Sequence, residues 1–181
     1  MQRRHLLQLA ALGGAAGALG AGFWALPVGA APADLSLVAA QRLLQGFAGK
    51  PLRSLGTWSP AEVLNHCAQS IEYSLEGYPE LKPSWFRQTL GLAAFEVFAA
   101  RGAMRHPLSQ AIPGAAPLHS PAGQEQALRR LQGAFERFAG HSGPLAPHFA
   151  YGMLDHEAYA LAHVLHLYNH LSELRPVDQL G

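Results

Sequence analysis

The sequence predicts an all-α protein, a four-helix bundle with an extra short helix or a long connecting loop, behind an N-terminal export signal. Three observations carry this. Apolar residues recur three and four apart in several windows of helical length. Clusters of Gly and Pro separate those windows, and no strand-type alternation or internal repeat competes. A chain of 181 residues, 49% of them apolar, can bury one sizeable core, so one domain plus a targeting segment is the economical plan.

The targeting segment comes first. Arg3 and Arg4 are adjacent, and no acidic residue, lysine or arginine follows until Asp34, while Leu, Ala and Gly dominate. This is a basic region followed by an apolar one. Pro27 breaks any helix there, and Val28-Gly29-Ala30 offers small residues for a signal peptidase, so cleavage is expected near Ala30. The plan is therefore a signal peptide over 1–30 and a helical domain over 31–181. Arg3-Arg4-His5-Leu6-Leu7 resembles a twin-arginine signal, with Leu6 in place of the usual aromatic and no Ser or Thr before the pair. Two other readings stay open: an ordinary secretory signal, or an uncleaved anchor, since an uncharged stretch of this length can span a bilayer.

Asp34 is expected to cap a first helix reaching about residue 47, with Leu35, Val38, Leu43, Leu44 and Phe47 on its buried stripe. Gly49-Lys50-Pro51 ends it. Ser59-Pro60-Ala61-Glu62 is a stronger start signal: a serine cap, a proline at the first helical position and a glutamate to complete a capping box. This second helix should run to about residue 75. Gly77, Pro79 and Pro83 force a loop, and 85–100 reads as a third helix anchored by Phe86, Leu90, Phe95 and Phe98. Residues 101–120 hold three prolines, two glycines and no clear period, a long loop for a compact bundle and one suited to cover a functional opening. Ser120-Pro121 begins a fourth helix in which Leu128, Leu131, Phe135 and Phe138 form the apolar stripe, ending near Gly140. Asp155 caps the last helix, 156–174, which has few ionisable groups other than histidine and is expected to be the most buried.

The 13 basic and 12 acidic side chains nearly cancel, and no cationic run follows Arg4, which argues against nucleic acid as a partner. With Cys67 alone, no internal disulfide can form, and stability after export must come from packing or a bound ion. The ten histidines are the chemical signal. His163, His166 and His170 fall within an arc of roughly 60° on the last helix. His166 and His170, about 6 Å apart along the axis, can close on one cation. His66 lies beside the stripe of Val63, Cys67 and Ile71 on the second helix and can supply a third imidazole. Cys67 points about 100° away from it and reads as a small core residue. His106, His119, His141 and His156 sit in or beside loops and carry no assigned role, and His148 reads as structural.

Leu55-Gly56-Thr57-Trp58-Ser59 leading into the helix of His66, and His148-Phe149-Ala150-Tyr151-Gly152 leading into His163, His166 and His170, resemble the DinB/YfiT-like superfamily of metal-binding four-helix bundles, and within it the DUF1569 group. The resemblance covers most of the chain after the signal. It implies that His66, His166 and His170 hold a divalent metal, with His163 as an outer or alternative ligand. Tyr159 and Asn169 depart from the DUF1569 pattern, where tryptophan and a further histidine are common.

Three neutral imidazoles with remaining positions open suit a reactive divalent centre holding zinc, nickel or iron. The resemblance implies a metal-dependent thiol transferase or hydrolase acting on a small molecule. Glu62, Glu72 and Glu173 are near the relevant helices, yet none is a convincing general base. The competing expectation is a non-catalytic exported bundle whose histidines bind a metal or fill the core. A homodimer is compatible with either, and membrane contact is expected only if the N-terminal segment stays attached.

Overall fold

The computed structural model describes residues 34–119 and 123–177, all within the compact unit Ala31–Gly181. The expected export signal, and the Ser120-Pro121 start of the fourth helix, lie outside the described residues. Among the described residues the elements are α1 (Leu37–Gln45), β1 (Leu52–Ser54), α2 (Pro60–Glu76), a helical turn Ser84–Phe86 that runs through a π-helical stretch Arg87–Gly91 into α3 (Leu92–Arg101), α4 (Gly123–Ala139), α5 (His156–Leu171) and β2 (Leu174–Pro176). Among the described residues the fold is mostly helical, with five helices and one small sheet. No helix of the described residues is long and apolar enough to cross a membrane.

The central helix is α2. Its capping box forms as the sequence predicts: the Glu62 amide donates to Ser59 Oγ at 3.3 Å, and the Ser59 amide donates to Glu62 Oε2 at 2.8 Å. Every residue from Val63 to Ile71 is buried, because α4 covers one side and α5 another. On the α4 side Leu128, Leu131, Phe135 and Phe138 are buried as expected, joined by Ala127 and Ala134. Fully burying each large apolar side chain contributes about 1.5–3 kcal/mol. Glu72, considered above as a candidate base, is an ion-pairing residue. It accepts from Arg130 Nε and Nη2 at 3.1 and 2.6 Å and from Arg137 Nη2 at 3.1 Å, locking α2 to α4.

Several boundaries differ from expectation. Ser36, not Asp34, caps α1 and accepts from the Ala39 amide at 3.1 Å, while Asp34 accepts from the Ser36 amide. Val38 faces outward, 61% exposed, because it lies about 120° round the helix from Leu44, which is buried with Ala40. In the third helical segment Phe95 and Phe98 are buried, but Leu90 is 60% exposed and Phe86 only half-buried. The π-helical stretch supplies the reason, since its i→i+5 bonding widens the turn and carries Leu90 within it and Phe86 before it off the 3.6-residue face. Gly91 ends that stretch buried, where a Cβ would overlap the Ala150 carbonyl oxygen, so the 148–152 turn rests directly on the helix backbone. Gly152, at φ 80°, makes the reciprocal approach to Arg87.

The small sheet was not expected. β1 and β2 pair antiparallel, Leu52 with Pro176 and Ser54 with Leu174, and the last helix accordingly stops at Leu171 instead of 174. This pairing fixes the entrance to α2 beside the exit of α5, the two helices that carry the histidines singled out above.

Candidate metal centre

His66 sits at the middle of α2, and His166 and His170 sit one turn apart near the end of α5. Their ligand nitrogens all lie within 4.8 Å of one another, so the three side chains can hold one metal ion. The Nε2 atoms of His66 and His166 are 3.1 Å apart. Two nitrogens bound about 2.05 Å from a tetrahedral zinc stand about 3.3 Å apart, so this spacing is close to that of two ligands on one ion. The ring centroids of the triad are 4.6, 4.7 and 4.9 Å apart.

The donor set fits a cation for a second reason. His170 is 0% exposed, and both of its ring nitrogens are buried without a hydrogen-bond partner; His66 Nδ1 is buried and unpartnered too. A neutral imidazole has one N–H and one lone pair to satisfy, and an unmet buried polar group costs about 1–3 kcal/mol. A metal satisfies the lone pairs. Burial, reinforced by the neighbouring imidazoles, holds the His66 pKa down to about 3 and that of His170 to about 2, and pushes His166 well below the usual range. The lone pairs therefore stay available at pH values where an exposed histidine is protonated.

His163 lies outside this group. Its Nε2 is 3.1 Å from Ser74 Oγ, whose hydroxyl donates to Ile71 O, so His163 Nε2 carries the proton and donates. His148 is buried and accepts from the Ala150 and Tyr151 amides through Nδ1, both at 3.1 Å, which holds the 148–152 turn in shape. Cys67 is buried in the apolar core, and burial pushes its thiol pKa up.

A cavity of about 190 Å³ opens beside the triad, with His66, His166, His163 and His148 in its walls. Met104, His106, Gln110, Ala111, Ile112 and Pro113 close another side, so the described part of the long 101–120 loop does lie over an opening. Lys82 is the one formally charged residue in the lining, and no carboxylate is among the described residues there. Two neighbours of the triad were not singled out as site residues from sequence. Trp58, in the link from β1 to α2, packs on His66 with centroids 4.9 Å apart and stacks over His170 at 6.0 Å. His106 packs on His166 and His170 at 5.1 and 5.0 Å. Trp58 lies within the family-like segment quoted above, which was a usable signal; His106, in an aperiodic loop, left none.

Fold and site together define a mostly helical protein with a buried histidine cluster at the wall of a cavity. The family model described as "Protein of unknown function (DUF1569)" matches residues 34–177, and the chain belongs to that family. No curated protein and no solved structure matches the chain.

Proposed function

We propose that His66, His166 and His170 hold a divalent metal, and that the protein acts on a small molecule bound in the adjoining cavity as a metal-dependent transferase or hydrolase. The convergence of three ligand nitrogens from two helices, with His66 and His166 in the wall of that cavity, is the observation that carries the reading. In this reading the helices form a DinB-like bundle. A divalent ion would act there as a Lewis acid toward a bound thiol or water. The chain's own residues supply the rest. Apolar walls exclude bulk water, Lys82 stands in the lining with its ammonium over the Phe86 ring, and burial keeps the surrounding imidazoles neutral. The absence of a carboxylate from the described lining favours a nucleophile that loses its proton on binding over one that needs a separate acid residue as base.

The test is the metal content of protein purified without chelators, measured by elemental analysis alongside His66→Ala and His166→Ala. About one equivalent of zinc, nickel or iron in the native protein, lost in both variants while helicity persists, is the expected result. A native protein that carries no metal and takes up none when these are added would overturn it.

We further propose that the chain is exported, with residues 1–30 as a cleaved twin-arginine signal, on the strength of Arg3-Arg4 and the uncharged stretch behind them. Cell fractionation checks this: the native protein should appear shortened in the exported fraction, and a variant with both arginines changed to lysine should stay full length in the cytoplasm. Equal export of both would remove the twin-arginine reading.

A further inference from the structure

We propose that His106 is a fourth nitrogen donor to the metal centre, carried on the loop that closes the cavity instead of on a helix. The inference rests on the metal reading above and adds a ligand to it.

The spacing of the rings is the first argument. His106 stands 5.1 Å from His166 and 5.0 Å from His170 by ring centroid, against 4.6 to 4.9 Å within the triad. Four imidazoles around a tetrahedral ion, each bound at about 2.05 Å, have centroids about 5 Å apart. His106 thus stands from His166 and His170 at nearly the spacing the triad keeps internally, on the side that the loop covers.

The second argument is the state of the ring. His106 Nδ1 lies 3.0 Å from the Pro107 carbonyl oxygen. A carbonyl only accepts, so Nδ1 carries the proton and Nε2 keeps the lone pair. Metal-bound histidines are commonly held in this way, one nitrogen donating to a carbonyl and the other facing the ion. Nε2 is also buried and has no hydrogen-bond partner. A buried lone pair left unmet beside three ligand histidines is a donor without its acceptor.

The third argument is mechanical. The nitrogens within 4.8 Å of one another are those of the triad, and His106 stands just outside them. The far end of its loop is pinned to α2, where Asn65 Nδ2 donates to Leu118 O at 3.2 Å and Gln69 Nε2 donates to Ala116 O at 2.9 Å. The three triad histidines are placed by α2 and α5, whereas His106 is placed by the loop that walls the cavity. His106 is therefore the ligand that an incoming small molecule would displace.

The experiment loads the purified full chain with cobalt(II), counts coordinated imidazoles by X-ray absorption, and measures affinity by chelator competition for the native protein and His106→Ala. Four imidazoles in the native protein, three in the variant and an affinity lower by at least about tenfold are expected. Three imidazoles in the native protein overturn the proposal while leaving the three-histidine site intact, and that outcome needs no variant to fold. Unchanged affinity in a folded His106→Ala variant overturns it as well. Failure of the native protein to bind cobalt would overturn both this proposal and the metal reading beneath it.

Discussion

Zinc at a thousandfold excess over its dissociation constant should raise the unfolding free energy of the native protein by about 4 kcal/mol, and His170→Leu should abolish that gain. The same substitution should leave the metal-free protein more stable than the native one, by about 1 kcal/mol or more. His170 is completely buried with neither ring nitrogen paired, so without a metal the imidazole carries the desolvation cost of an unmet donor and an unmet acceptor. Leucine is of similar volume and brings no polar group. Urea unfolding with zinc, and with a chelator in its place, gives both numbers. The opposite signs separate a ligand from a core residue: a histidine selected for packing would lose stability on replacement. A native protein indifferent to zinc, or a destabilised metal-free His170→Leu variant, would show that the imidazole is satisfied by the core.

Gly91→Ala should cost about 3 kcal/mol or more. The added methyl would overlap the carbonyl oxygen of Ala150, which is backbone, so no side chain can rotate away. The strain must move either the π-helical stretch or the 148–152 turn. That turn supplies His148, Ala150 and Tyr151 to the cavity, so the substitution should also weaken binding of any molecule lodged there. Gly133→Ala is the control. Nothing lies within 4 Å of its Cβ in the interior of α4, and it should be stabilised by about 1 kcal/mol through helix propensity. Similar urea midpoints for the two variants would show that the Gly91 contact is slack.

The features legible in the sequence are those set by local chemistry. Ser59 and Glu62 specify their cap within four residues, Asp155 caps α5 by accepting from the Ala158 amide at 2.8 Å, and the stripe from Leu128 to Phe138 finds its core. His166 and His170 could be read as a pair from their spacing alone. What escaped depends on contacts distant along the chain. Strands of three residues are too short to show alternation, and Leu52 has no mark of its pairing with Pro176. The π-helical stretch ends where Gly91 meets Ala150, and no periodicity in 84–101 marks it. His106 reaches the cluster because its loop folds back over α2, a path that no local signal encodes.

The order in which the parts leave the ribosome gives the strand pair a temporal meaning. Every helix up to α4 is synthesised before His166 exists, and the ribbon that sets α2 beside α5 cannot close until Pro176 has emerged. The three imidazoles therefore come together only once α5 has been made and set beside α2, so a chain still short of His166 holds His66 without the pair that faces it.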